Sequence, residues 1–278
     1  MAGRLRLLVG LAVLVAASVV VGSAAADPTL VHLCPGETMS SPGTALSGTV
    51  AGNLTISGNN YVDNSATFTV RGNLTLAPGA CLDAFSMGTV HVGGNVLVQQ
   101  GAILGLGCAI DATMPPTPCT GSPDDTVGGN IVANNALTMY LTALQVGGNV
   151  ISNGGGPGST AFVNFPIKDS DIRGNLIVQG WQGGWSGALR NTVHGNMIYS
   201  GNGSTQDPDS NEAVQNTVFG NLICLGNSPA VQFGDSGAAP NVVHGNAIGQ
   251  CAFNVIQPDP NYPNNDGKGG PQPISVKG

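Results

Sequence analysis

Three side chains able to hold or move protons recur at matched offsets. Asp171 and Arg173 stand four and two residues before Asn175, and Thr192 and His194 stand four and two residues before Asn196. A carboxylate, a guanidinium and an imidazole are the parts of an acid–base site, since one group can take up the proton that another releases while the cation offsets developing charge. They can meet only if the two segments lie side by side at one strand spacing, about 4.8 Å. The plainer outcome of the same juxtaposition is a salt bridge and polar pairs on an exposed sheet. A second candidate is Trp181-Gln-Gly-Gly-Trp185, which holds both tryptophans of the chain. A glycine-rich turn displaying two indoles offers faces for stacking on sugar rings, with packing against the flank of the fold as the competing outcome. Asp171, Arg173, His194, Trp181 and Trp185 are thus the candidate ligand-binding residues, and the first three are the one candidate catalytic set. Asp124-Asp125 reads as a solvated acidic turn. No Cys-x-x-Cys or Cys/His cluster is present, so neither metal nor cofactor is expected.

What positions these residues is a repeat. A Val/Ile-x-Gly-Asn unit occurs nine times, at Asn53, Asn73, Asn95, Asn130, Asn149, Asn175, Asn196, Asn221 and Asn246. Successive asparagines are 20, 22, 35, 19, 26, 21, 25 and 25 residues apart. Each unit is too short to bury an apolar face alone and must stack on its neighbours, so the period predicts an all-β, three-sided parallel solenoid of about nine coils of 19–26 residues. The long interval contains an inserted loop over 109–125. Residues at −3, −1, +1 and +3 from each asparagine alternate as an inward-facing set, seen in Val50, Gly52, Leu54 and Ile56. Gly-Asn reads as a bend in which asparagine tolerates left-handed geometry, and the stacked asparagines form a structural ladder.

The +2 column runs Thr55, Thr75, Leu97, Val132, Ile151, Ile177, Ile198, Ile223 and Ile248. Simple alternation turns it outward as an aliphatic stripe for a partner or a second copy; a phase change at the bend turns it into core, the outcome the expected turn favours. The −4 column carries Thr49, Thr69, Thr126, Thr192 and Thr217, but its neighbouring column mixes Ala, Gly, Arg, His and Phe, which is no lattice for ordering ice.

The amino terminus places Arg4 and Arg6 before an apolar run from Leu7 to Val21 and a small-residue Ala24-Ala25-Ala26 site, the layout of a signal peptide over 1–26. The expected organisation continues with an N-terminal cap over 27–48, the solenoid over 49–256, and a Pro/Gly/Asn-rich tail over 257–278. Removal of Arg4 and Arg6 takes the formal net charge from −7 to −9, which argues against nucleic acid or an anionic membrane as partner. No second apolar span follows. All six cysteines, Cys34, Cys81, Cys108, Cys119, Cys224 and Cys251, lie in the exported part and suggest three disulfides. Of the fifteen pairings, the spacings favour Cys108–Cys119 across the inserted loop, Cys224–Cys251 between neighbouring coils and Cys34–Cys81 at the cap.

In repeat length and pattern from Thr49 to Asn254, the chain resembles the right-handed parallel β-helix, or pectin-lyase-like, superfamily. That resemblance implies the fold and leaves activity open, because the superfamily spans polysaccharide lyases and hydrolases, adhesins, passenger domains and phage spikes. Polygalacturonase-like members imply Asn-x-Asp, Asp-Asp, Gly-His-Gly and Arg-x-Lys on successive coils; only Asp124-Asp125 matches. The mature chain has three lysines, two of them in the tail, which leaves little for pectate-lyase-like chemistry. The expected function is a secreted or cell-surface, non-catalytic solenoid of bacterial type, acting as a structural, adhesive or glycan-binding element toward extracellular polysaccharide or copies of itself. A polysaccharide-active lyase or hydrolase using Asp171, Arg173 and His194 is the alternative.

Overall fold

The computed structural model describes residues 33–36, 43–63, 66–85, 88–107, 125–156, 164–203, 210–233 and 240–252, with the strand backbone of Ile274–Ser275. The segment expected to be a signal peptide, Cys108, Cys119, Asp124, most of the inserted loop and most of the tail lie outside the described residues. The chain forms three parallel sheets of eight, ten and nine strands and no α-helix among the described residues. One coil shows the plan: Cys81–Phe85 on the first side, Thr89–Val92 on the second, Val96–Val98 on the third, after which the chain returns to the first side at Ile103–Gly107. Each strand pairs with its counterpart one coil away, never with its sequence neighbour. This is a parallel β-helix. Eight coils have all three sides and a ninth has two, slightly fewer than nine full coils.

Strand pairing continues on both sides of residues 49–256. Thr44–Ala45 already pairs with Asn59–Tyr61, inside the segment expected to be a cap, and Ile274–Ser275 in the tail pairs with Val242–Val243.

Inward residues from all three sides fill one continuous core. In the coil above, Leu82, Ala84, Val90, Val92, Val96 and Val98 are buried. Each of these leucine and valine side chains contributes roughly 1.5–3 kcal/mol by leaving water, and since it packs on the coils above and below, stability accumulates with coil number.

The nine-asparagine ladder is present from end to end. The Oδ1 of each asparagine accepts the backbone N–H of the next, from Asn73 N–Asn53 Oδ1 at 2.8 Å to Asn246 N–Asn221 Oδ1 at 2.9 Å. The bend, however, does not use left-handed asparagine: none of the nine has positive φ. Glycine is required for a different reason. A Cβ at Gly148 would lie 2.5 Å from Asn130 Oδ1, and each repeat glycine from Gly72 onward likewise makes room for the ladder oxygen of the coil before it. Left-handed backbone occurs at the other two corners, for example at Ala143, Asp169, Arg190 and Gln215 where the first side turns into the second.

Those corners carry two further ladders, the first buried and the second buried except at Gln250. Asn191, Asn216 and Asn241 are linked by N–H to Oδ1 bonds of 3.0 and 2.9 Å, and their Nδ2 groups donate to core carbonyls of Ile167, Ala188 and Ala213. Asn202, Asn227 and Gln250 form the third. Buried backbone N–H groups at a corner have no strand partner, and the amide oxygens satisfy them.

Two disulfides match the expected pairs. Cys34–Cys81 ties the N-terminal segment to the third coil across 5.7 Å between Cα atoms, and Cys224–Cys251 joins the last two coils across 5.1 Å. Both fit an oxidising environment. No helix among the described residues is long and apolar enough to cross a membrane.

Candidate functional site

The second side holds the candidate residues Asp171, Arg173 and His194. Its register places Asp171 beside Thr192, and the residues two further along, Arg173 and His194, fall beside one another at the corner. Asp171 Oδ1 lies 3.3 Å from Arg173 Nε and 3.2 Å from His194 Nε2, and Arg173 Nη1 lies 3.4 Å from His194 Nε2. The three expected partners therefore do meet. The contacts of Asp171 Oδ1 are ionic in distance but not aligned as hydrogen bonds. Side-chain exposures of 64% for Arg173, 39% for Asp171 and 31% for His194 leave the group in contact with solvent, where water screens the ion pair.

The cluster continues in both directions along the solenoid. Toward the C-terminus, Phe219 is inserted between His194 and His244, the three rings stacking within 10° of parallel at centroid separations of 5.2 and 4.6 Å. Phe219 is 46% exposed, so the edges of the stack face water. Toward the N-terminus, the same corner column reads Gly147, Gly128 and Gly93, then Arg71. With no side chains over these three coils, the surface sinks into an open trough of about 460 Å³. Its floor is glycine backbone, its wall includes Thr69, His91, Thr126 and Gln145, and its ends are Arg71 and the Asp171/Arg173 pair. Arg71 and Arg173 are four coils apart, roughly 19 Å at the strand spacing. His91 Nδ1 is 2.9 Å from Thr126 Oγ1, which orients one imidazole along the wall. Three of the chain's four histidines and two of its five arginines thus collect on one side of an acidic protein.

The tryptophan pair is a correction. Trp181 is fully buried, with its ring 5.5 Å from that of Phe165 and its backbone N–H held by Asn202 Oδ1 at 2.8 Å. Burial of so large an apolar surface outweighs display in a Gly-rich turn, and Trp181 is removed from the candidate binding set. Trp185 is half-buried on the outer face of the first side, packed over Gly187 with Lys168 Nζ 5.6 Å from its ring, so it does not face the trough.

Asp125 is the second correction. Far from being a solvated turn residue, it is 1% exposed. Its Oδ1 accepts from Val90 N at 2.7 Å and its Oδ2 from Gly107 N at 2.8 Å, joining two coils at the root of the inserted loop. Burial raises its pKa to about 7, against the two backbone hydrogen bonds, which lower it. Sequence reasoning missed this residue because Val90 and Gly107 become its neighbours only through stacking.

The +2 column is the third correction. Strand burial is inward, outward, inward across Leu176, Ile177 and Val178, and the same holds in the other coils, so the column faces out. Alternation passes unchanged through the bend, and the expected core placement fails. The buried asparagine ladders were also missed, though Asn191-Thr-Val, Asn216-Thr-Val and Asn241-Val-Val recur five residues before the repeat asparagine.

Among the described residues no group of three or more His, Cys, Asp or Glu side chains is placed to hold a metal ion. No family model, curated protein or solved structure matches the chain.

Proposed function

We propose that this chain is an exported, non-catalytic parallel β-helix that holds a linear glycan along the outer surface of its second side, as an adhesive or structural element at or near the cell surface. The trough between Arg71 and Arg173 carries this reading. It is elongated along the axis, open, and lined at strand-spaced intervals by hydroxyl, amide, imidazole and guanidinium groups, the donor and acceptor types that pair with sugar hydroxyls and acidic substituents. A flat backbone floor lets a chain molecule lie close.

One observation favours an enzymatic reading: Asp171, Arg173 and His194 assemble at the end of that trough. Glycoside hydrolysis by the usual two-carboxylate routes needs a second carboxyl group about 5–9.5 Å from the first. Among the described residues Asp171 is the one carboxylate lining the trough, which supports binding over turnover.

The test is a glycan array with the mature protein, followed by reducing-sugar and unsaturated-uronate assays on each ligand found. Retention of a polysaccharide, weakened at least tenfold by Arg71→Gln with Arg173→Gln and unaccompanied by product, is the expected result. Product formation that Asp171→Asn abolishes would overturn it.

A further inference from the structure

We propose that the outer face of the third side is where two copies of this chain pair. The face is built from three columns. Its centre is the +2 column, whose residues lie in unbroken register from Thr55 to Ile248. Seven of these nine positions, Leu97 through Ile248, are aliphatic, at one residue per coil. The asparagine ladder borders them on one edge, and Ser, Ala, Gln, Asn and Leu from Ser57 to Leu225 on the other.

No residue of these three columns is charged. The first side presents Lys168 and Glu212 on its outer face, and the second presents Arg71, Asp171 and Arg173. For a chain of net charge −7, like-charge repulsion opposes association in most orientations, and a charge-free face is where two copies approach at least cost. Exposed apolar surface is concentrated there: of the three large hydrophobic side chains exposed among the described residues, Leu225 at 50% and Ile248 at 40% both belong to this face.

The geometry selects the partner. Side chains standing at intervals of about 4.8 Å over nine strands can be matched along their whole length only by a surface with the same interval, and face-to-face sheet packing at about 10 Å is the standard way two such surfaces meet. A second copy supplies that surface. Nine strands and three columns make a face of roughly 40 by 13 Å, so the pair buries on the order of 1,000 Å², the lower bound for a specific complex. The dimer is accordingly reversible and concentration-dependent. Because the trough lies on the second side, pairing through the third leaves both troughs open.

Sedimentation of the mature protein across a dilution series tests this. A monomer–dimer equilibrium is expected, weakened at least tenfold by Ile177→Asp. Ile151→Thr with Ile177→Thr should weaken it too; that variant keeps a β-branched residue already present in the column at Thr55 and Thr75, so loss of dimer with an unchanged circular dichroism spectrum excludes unfolding as the cause. Ile151, fifth of the nine column positions, faces its counterpart whichever way the two solenoids run, so Ile151→Cys should form an intermolecular disulfide that Thr192→Cys on the second side does not. A protein that stays monomeric at about 1 mM, well above the micromolar range of modest interfaces, or a dimer indifferent to the Asp and Thr variants and not crosslinked by Ile151→Cys, overturns the proposal.

Discussion

Asn130 and Gly148 occupy one shared space: Asn130 Oδ1 accepts from Asn149 N at 2.8 Å in the volume where a Cβ on Gly148 would stand 2.5 Å from it. The Gly-Asn pair is therefore a contact between coils, in which the glycine of one coil admits the asparagine of the coil before. Gly148→Ala should cost about 1–3 kcal/mol, the sum of overpacking and a weakened ladder bond, read as a lowered denaturant midpoint with an unchanged slope. Gly52, in the first coil, has no ladder oxygen behind it and open space at its Cβ position, so Gly52→Ala should be close to neutral.

Asp125 makes stability depend on pH. Its folded pKa of about 7 lies above the ordinary 3.8, so the folded state holds a proton that the unfolded state has released. Its contribution is fully present below about pH 4 and is lost as pH rises through about 7, by at most about 4 kcal/mol. Asp125→Asn should lower stability by roughly 1–3 kcal/mol, because the amide accepts only one of the two backbone N–H groups. The same variant should remove that slope. Urea midpoints of both proteins from pH 4 to 8 check this: the gap between them should narrow as pH rises.

Tyr199 is fully buried, and its hydroxyl has no hydrogen-bond partner among the described residues. Burial, with Glu212 nearby, pushes the phenol well above its ordinary range, so it stays neutral at any physiological pH. Tyr199→Phe keeps the ring and deletes the unpaired group, and should leave stability equal or raise it by about 1 kcal/mol in thermal unfolding.

Much of the fold was legible in the repeat, and the reason is physical. A parallel strand buried on one face must alternate, so the Val-x-Gly-Asn unit locates the second and third sides and makes Asp171 and His194 neighbours although they are distant in the chain. The same alternation, followed through the bend, also turns Ile177 outward. Expecting a phase change there misplaced the column, because the bend is made by a small residue fitting under an asparagine oxygen and leaves the inward set at +1 and +3. What the sequence concealed depends on stacking beyond the repeat. Trp181 sits in a Gly-rich turn, as a displayed residue would, but Asn202 from the next coil fixes its backbone and Phe165 receives its ring. The trough was hidden for a related reason. It consists of side chains that are absent at Gly93, Gly128 and Gly147, and absence becomes a shape only when coils lie over one another.

The most direct test of the account is the length dependence of glycan binding. Arg71 and Arg173 stand roughly 19 Å apart along one trough, so a glycan held as proposed must be long enough to touch both. Titrating the protein with size-fractionated oligosaccharides of a polymer it retains should give affinity that rises with chain length and then levels off. Arg71→Gln and Arg173→Gln should each weaken the long ligands, with losses that add, while a short ligand senses only one of them. Affinity independent of length, or long-chain binding untouched by either substitution, would contradict it.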